Sequence, residues 1–153
     1  MLIGYGRFGQ QLYQSLTQHK KILVIDQDPE VIIELQKEKI PCVYGDVGDM
    51  EFIRELGVKG IKMIISTIPN YDDNMLLVKT AKFIDKEIIV VLVCNHVEQS
   101  IQLYEAGADY VIVPHYIGAS HTSIMLEDYG FDIHKFTQNK SSQIHELKNH
   151  HKK

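Results

Sequence analysis

The sequence predicts an α/β fold in which a doubly wound parallel sheet of about six strands carries helices on both faces. Short runs rich in β-branched residues alternate with amphipathic stretches, the pattern of buried parallel strands joined by helices. A glycine-rich turn follows the first apolar run, as where a strand passes directly into a helix. A chain of 153 residues is long enough for one buried core and usually forms one domain.

The elements are predicted in order along the chain. Strands are expected at 1–3, 22–26, 41–44, 61–66, 88–94 and 110–113. Helices are expected between them at 7–18, 28–38, 49–57, 71–85 and 96–106, with a further helix at 114–129. Right-handed crossovers then give the Rossmann-like strand order 3-2-1-4-5-6.

Local signals support several of these boundaries. Asp28 followed by Pro29 is typical of a helix N-cap with proline at the first helical position, and Asp49 is a second N-cap candidate. Gly57 and Gly107 are expected to end their helices.

The helix at 96–106 carries apolar residues at helical spacing. Val97, Ile101, Tyr104 and Ala108 follow a period near 3.6, so we expect them to face the core.

The pattern fades after Gly130. The segment 130–153 is rich in lysine and other polar residues, so we expect a loosely held, partly disordered tail or linker behind a domain at 1–129. Ser142 can cap a short helix through Ile144 and Leu147.

The opening turn predicts a nucleotide site. Gly4, Gly6 and Gly9 form a G-x-G-x-x-G motif, and Asp26 closes the next apolar run about 20 residues on. In the dinucleotide-binding layout these glycines make the turn, admit a pyrophosphate and let the helix pack against the strand. The phosphates then lie at a helix N-terminus, where unpaired N–H groups favour an anion. The alternative is a loop that merely happens to contain three glycines.

Asp26 is the most specific single-residue prediction of a ligand contact. A carboxylate at the end of the second strand can accept from both ribose hydroxyls and repels the extra phosphate of NADP, which favours NAD, NADH or an adenine mononucleotide. The alternative is an aspartate that starts a turn before Asp28.

Four further candidate residues lie at predicted carboxyl ends of strands or at the helix start. Gly45 and Asp46 border the adenine or form only a turn, and Thr67 lines the phosphate crevice or caps the next helix. Arg7 places a cation at a helix N-terminus, an unfavourable position that a bound phosphate would resolve.

Composition restricts the partners. The formal charge is −4 and no basic stripe interleaves with aromatic residues, so nucleic acid is not expected as a partner. Cys42 and Cys94 form no metal or disulfide pattern, and the eight histidines have no metal-ligand spacing. The longest apolar run, 88–94, is too short to span a bilayer, so a soluble cytosolic chain is expected.

Known catalytic motifs are not found in the sequence, which favours binding over catalysis. An NAD-dependent oxidoreductase fragment is the alternative, because the glycine motif and Asp26 serve it equally well. The first strand is short before the glycine turn, so we expect a segment of a longer protein or a start placed too far downstream.

Taken together, residues 1–129 resemble the RCK domain, also called KTN or TrkA-N, which regulates potassium channels, transporters and cation:proton antiporters. The resemblance rests on the strings at Gly4–Gly9, Asp26–Asp28, Tyr44–Asp46 with Asp49, and Glu105–Pro114. The last string is more specific than the glycine motif. Family members often carry an arginine where this chain has Cys94 and Asn95, so the contacts of that arginine are not transferred.

The resemblance implies NAD(H) or AMP, ADP or ATP as the ligand, held at the point where the strand order reverses. The implied ligand positions are Gly4, Tyr5, Gly6, Arg7, Phe8, Gly9, Asp26, Gln27, Asp46, Val47, Thr67 and Ile68.

The run Pro114–Gly118, with His121 beyond it, resembles domains fused behind the membrane segments of potassium-efflux antiporters. This similarity implies a homodimer through the helix at 114–129, gating of cation transport by nucleotide, and a cytoplasmic location at the inner face of the membrane. The transporter part then lies in the same or a partner chain. A free-standing peripheral subunit of a potassium-uptake system is the remaining alternative.

Overall fold

The computed structural model of the protein describes residues 1–17, 21–56 and 60–151. Six parallel strands form one sheet in the order β3-β2-β1-β4-β5-β6, which confirms the predicted fold class and strand order. The strands are β1 (Leu2–Ile3), β2 (Val24–Asp26), β3 (Cys42–Tyr44), β4 (Met63–Ser66), β5 (Ile89–Val93) and β6 (Tyr110–Ile112). Each is shorter than predicted by one to two residues.

The helices connect the strands as expected. They are α1 (Arg7–Leu16), α2 (Pro29–Lys37), α3 (Met50–Glu55), α4 (Tyr71–Ile84), α5 (Val97–Glu105) and α6 (Pro114–Tyr129), followed by α7 (Ile133–His151). Asp28 and Asp49 are the N-caps of α2 and α3, accepting from the N–H of Glu30 and Glu51. Gly107 follows the C-cap of α5 with φ +110°. The predicted stop at Gly57 lies outside the described residues.

Strand β1 is central and sets the position of the site. Leu2 pairs with Val24 of β2 on one side and with Ile65 of β4 on the other. The chain order reverses between these neighbours, and ligands of open α/β sheets bind at this switch point, beyond the carboxyl ends of the strands.

The core has two parts. The larger contains buried residues of β4 and β5 with α4, such as Ile64, Leu92 and Leu77. The smaller surrounds Leu2 and Val24 and includes Leu35 of α2. Burial of these side chains, at roughly 25 cal/mol per Å² of apolar surface, holds both helical layers on the sheet.

The predicted core face of α5 is wrong. Val97, Ile101 and Tyr104 are 61%, 54% and 44% exposed, whereas Leu103 and Ser100 are buried. Helix α5 has nine residues and carries apolar side chains on two faces, so periodicity alone does not identify the one that meets the sheet. Ala108, beyond the helix, is buried as expected.

The chain divides into two compact units, Met1–Pro114 and His115–Lys153, where the sequence suggested a boundary after residue 129. The segment expected to be a loose tail instead contains α7, and Lys152 and Lys153 lie outside the described residues. Local contacts support this helix: Asp132 Oδ1 accepts from His134 N at 2.9 Å, and the rings of Tyr129 and Phe136 meet edge-to-face at 5.1 Å. Capping and ring packing offset the polar composition.

Among the helices of the described ranges, none has the length and apolar character needed to cross a membrane.

Candidate functional site

Two of the three motif glycines are required by packing. Gly4 has φ +83°, and a Cβ there would lie 2.7 Å from Thr67 Oγ1. A Cβ on Gly9 would collide with the carbonyl oxygen of Gly4. These two positions therefore need glycine whether or not a ligand binds.

Gly6 is different. It is the N-cap of α1 with φ −63° and ψ −176°, extended backbone that any residue adopts. Beyond its chain neighbours, no atom of the described residues lies within 4 Å of the point that a Cβ would occupy. Packing among the described residues does not explain this glycine, which occupies the position where the dinucleotide-binding layout brings backbone close to a pyrophosphate.

The start of α1 presents donors to the same open space. The first intrahelical bond runs from Gln10 N to Gly6 O, so the preceding amides have no partner within the helix. These N–H groups and the positive end of the helix dipole favour an anion.

Arg7 is the first residue of α1 and is exposed. No acid lies in the first turn of this helix, and no carboxylate of the described ranges forms an ion pair with Arg7. Phe8, beside it, is 40% exposed. Among the described residues, the guanidinium therefore has no ion-pair partner, and its contact with a phosphate stays a prediction.

Asp26 joins β2 to the glycine turn. Its Oδ2 accepts from Tyr5 N at 2.6 Å, and its Oδ1 accepts from Asp28 N at 2.9 Å. The second bond is the turn that the sequence offered as an alternative. A carboxylate has about four lone-pair sites, so acceptor capacity remains for ribose hydroxyls. Gln27 follows and is exposed.

The side chain of Tyr5 is half-buried. Its ring packs edge-to-face on Tyr13 at 5.6 Å and lies against the smaller core cluster. Burial raises the pKa of the Tyr5 hydroxyl, and the charges of Glu38 and Tyr13 raise it further. The side chain is therefore used in packing α1 against α2.

The loop after β3 is tied to Asp26, because Gly45 N donates to Asp26 O at 3.0 Å. Asp46 is exposed, and its Oδ1 accepts from Gly48 N at 2.8 Å. Val47 is 2% exposed, so its side chain belongs to the core and only its backbone borders the loop surface. Gly45 is also required by packing, since a Cβ there would collide with the ring of Phe52.

Thr67 does not cap α4, so that alternative is wrong. Its hydroxyl donates to the carbonyl oxygens of Gly4 and Ile3 at 3.0 and 3.1 Å, which fastens the end of β4 to the glycine turn. The cap is Asn70, which accepts from Asp72 N and Asp73 N. Ile68 is half-buried against the larger core cluster.

Sequence reasoning missed two residues of α4. Asn74 is 1% exposed and donates through Nδ2 to Ile68 O at 2.8 Å and Val93 O at 2.9 Å, which fixes the spacing of β4 and β5 at their carboxyl ends. Asp73 lies beside Asp46. Burial raises the pKa of the Asp73 carboxyl, and the charges of Asp46 and Asp72 raise it further. An asparagine inside an otherwise apolar helix face was the available signal.

The structure therefore brings together Gly4, Gly6, Arg7, Asp26 and Thr67 around the switch point. Tyr5 N of the glycine turn donates to Asp26, and Thr67 Oγ1 donates to Gly4 O, so these residues form one connected network. Asp46 joins it through the loop that begins at Gly45.

The string at Glu105–Pro114 is not part of this network. Asp109 Oδ2 accepts from Val90 N at 2.6 Å and Lys82 Nζ at 2.8 Å, and Tyr104 Oη accepts from Val111 N at 2.9 Å. These bonds attach β6 to the sheet and to α4 and α5. The most specific sequence signature is thus a feature of the fold.

A profile of the TrkA-N domain matches residues 1–114. The chain belongs to the TrkA-N family. This match covers the sheet, its first five helices and the whole glycine-turn network.

Two curated relatives of this TrkA-N chain are potassium transport proteins. Potassium channel protein 1 of Methanocaldococcus jannaschii is 25% identical over 121 residues, covering 77% of this chain and 36% of the relative. The glutathione-regulated potassium-efflux system protein KefC of Escherichia coli is 27% identical over 110 residues, covering 71% of this chain and 18% of the relative. The chain therefore spans about a third of the channel and less than a fifth of KefC.

Solved structures show the same TrkA-N fold. The TrkA-N domain of the inner membrane protein ybaL from Escherichia coli superposes with a TM-score of 0.76 at 24% identity, covering 82% of this chain and 93% of that one. GsuK bound to ADP gives 0.68 at 27% identity, with 83% and 33% covered. The AMP-bound Kef CTD of Shewanella denitrificans gives 0.69 at 18% identity, with 99% and 92% covered.

Proposed function

We propose that this TrkA-N domain is a regulatory module that binds an adenine nucleotide at the carboxyl ends of β1, β2 and β4. The ligand is NAD(H) or AMP, ADP or ATP. The phosphate lies over Gly6 and Arg7, Asp26 accepts from the ribose, and the loop at Asp46 and Val47 borders the adenine.

The observation that carries this proposal is the open space at Gly6. Packing accounts for Gly4 and Gly9 but leaves Gly6 without a structural reason to lack a side chain. The unpaired amides of α1 and the exposed guanidinium of Arg7 point to an anion at the same place. The ADP in GsuK and the AMP in the Kef CTD are ligands of the same chemical class.

The nucleotide acts by linkage. A ligand that binds one arrangement of a pair of domains better than another shifts the equilibrium by its differential affinity, typically about 1 to 3 kcal/mol. We infer that this shift gates potassium or cation transport in a membrane part of the same or a partner chain, with the domain at the cytoplasmic face. The potassium transport relatives support this. The pair is a homodimer through α6, whose residues are not buried.

Calorimetry with NADH, NAD, AMP, ADP and ATP tests the site on the wild type and Gly6→Ala. The alanine is compatible with the extended backbone at Gly6, so the fold should be kept, at a cost of about 0.5 to 1 kcal/mol because alanine is a poorer N-cap than glycine. Its methyl group fills the ligand space and should weaken binding at least about tenfold, the loss of one hydrogen bond to a charged group.

Gln11→Ala is the control, because Gln11 is exposed in the second turn of the same helix and makes none of the proposed ligand contacts. It should leave every affinity unchanged. Equal affinities of wild type and Gly6→Ala would refute the phosphate position. Turnover with NADH and a carbonyl substrate would favour the oxidoreductase alternative, whereas saturable binding without turnover supports the regulatory module.

A further inference from the structure

The following inference rests on the proposed adenine-nucleotide site and concerns its choice of ligand. We propose that the site discriminates adenine nucleotides by phosphate charge, so that AMP and the diester-linked NAD(H) bind in preference to free ATP.

Acidic residues dominate the edge of the sheet where the site lies. The five strand-to-helix turns at 4–8, 26–30, 45–51, 67–73 and 94–98 contain nine carboxylates and one guanidinium, that of Arg7. All of these turns lie at the carboxyl ends of parallel strands and therefore on the same edge of the sheet, and those after β2, β3 and β4 are nearest to the proposed ligand position. The carboxylates are Asp26, Asp28, Glu30, Asp46, Asp49, Glu51, Asp72, Asp73 and Glu98.

The opposite edge of the sheet does not share this excess. Its described turns, at 21–23, 37–41, 60–62, 85–88 and 105–109, contain five lysines and five carboxylates. The negative field is therefore a property of the ligand edge and not of the whole surface.

Two of the acids are held close together without a counter-ion. A Cβ on Gly48 would lie 3.0 Å from Asp73 Oδ1 and 3.2 Å from Asp46 Oδ1, so these carboxylates flank one point of the loop. The ion pairs found among the described residues are Lys82–Asp109 and Lys135–Asp128, and neither involves this edge. The raised pKa of Asp73, due first to burial and then to Asp46 and Asp72, agrees with an uncompensated negative field.

The positive groups suffice for one phosphate position. The helix N-terminus contributes the equivalent of about half a charge, and Arg7 contributes one more. A β- or γ-phosphate adds negative charge, and the described turns of this edge contain no further Lys or Arg to compensate it. At partly screened distances we expect about a tenfold loss of affinity for each added phosphate. We expect no such loss of affinity for NAD(H), because each of its two phosphates carries a single negative charge.

The test is calorimetric titration of the full chain with AMP, ADP and ATP in metal-free buffer at low ionic strength. Affinity should fall about tenfold from AMP to ADP and again from ADP to ATP. The difference in affinity between AMP and ATP should become smaller when added salt shortens the screening length. It should also become smaller when Mg²⁺ neutralises the phosphates of ATP. ATP binding as tightly as AMP without metal would overturn the inference.

A double variant, Asp72→Asn with Asp73→Asn, removes two charges of this edge without touching a proposed ligand contact. It should reduce the ratio of AMP to ATP affinity at least about threefold. The matched control, Asp85→Asn with Glu87→Gln, removes two charges of the opposite edge and should leave the ratio unchanged. An unchanged ratio in the first variant, with its unfolding temperature preserved, would contradict the inference. Binding of no nucleotide at all would instead refute the proposed function, on which the inference rests.

Discussion

At the scale of single residues, Asp26 combines a structural and a proposed binding role. Its two oxygens already accept from Tyr5 N and Asp28 N, which locks the glycine turn onto β2. The same bonds orient the remaining lone pairs, so the carboxylate is held in place before a ligand arrives. Such preorganisation reduces the entropy lost on binding.

The ribose contact can be isolated from this structural role by changing the ligand together with the protein. The wild type should bind AMP at least about tenfold more tightly than 2′,3′-dideoxy-AMP, and Asp26→Asn should lose most of that preference. Asp28→Asn, which alters a neighbouring cap, should keep the preference. Calorimetry of the three proteins with both ligands gives the coupling free energy between the Asp26 side chain and the ribose hydroxyls. A full preference in Asp26→Asn would place the ribose elsewhere.

The glycine turn and Asp26 were predictable because their chemistry depends on spacing along the chain. The roles of Asp73 and Asn74 were not, because they depend on how α4 packs beside the loop after β3 and the end of β5. Thr67 shows the same limit: its position was predictable, but its hydroxyl partner, Gly4, is 63 residues away in sequence.

At the scale of elements, the ion pair of Lys82 and Asp109 connects α4 to the start of β6. Lys82 Nζ also donates to Ile88 O at 2.7 Å, so one side chain joins a helix to two strands. Burial alone would raise the pKa of Asp109, but the hydrogen bonds from Lys82 and Val90 N outweigh it and lower the pKa.

This lowered pKa predicts a pH-dependent contribution to stability. Because the folded pKa lies below the unfolded value, the stabilisation is present above about pH 4 and is lost as the pH falls through the folded pKa. Asp109→Asn should therefore lower the free energy of unfolding at pH 7 by about 1 kcal/mol, discounted because the Asp109 side chain is 42% exposed. Urea unfolding of both proteins at pH 7 and below about pH 4 measures this difference in the free energy of unfolding.

The difference between Asp109→Asn and the wild type should shrink as the pH falls below about 4. Glu105→Gln is the control, since Glu105 is exposed on the same turn, and it should change little at either pH. A destabilisation that stays constant with pH would assign the effect to lost shape or hydrogen bonding and not to the charge of Asp109.

Helix identity was easier to predict than helix orientation. Caps at Asp28 and Asp49 are local, and they begin α2 and α3 as expected. The buried face of α5 depends on its contact with the sheet, whose residues are distant in sequence. The formation of α7 depends on several weak local contacts. For that reason composition suggested a tail where a helix forms over Ile133–His151.

At the scale of the whole molecule, α6 leaves apolar side chains in solvent. Tyr116 is 73% exposed, Ile124 64% and Leu126 49%, and no residue of the helix is buried. Exposed apolar residues of this number on one helix are typical of a surface that pairs. The sequence predicted the helix and its pairing, and the pairing stays a prediction.

Ile124→Glu tests this pairing directly. A charge in place of an apolar side chain at a protein interface should raise the dimer dissociation constant by at least about tenfold, because the carboxylate loses its hydration without gaining a partner. Ser123→Glu adds the same charge at the adjacent exposed position and should have a smaller effect if Ile124 is the contact residue. Size-exclusion chromatography with light scattering, over a range of protein concentrations with and without AMP, gives the dimer dissociation constants.

Since dimer formation and nucleotide binding are linked, AMP should change the dimer dissociation constant of the wild type by the same factor by which dimerisation changes the affinity for AMP. A monomer at every concentration in the wild type would exclude gating by a pair of these domains and leave nucleotide binding as the property of a single chain.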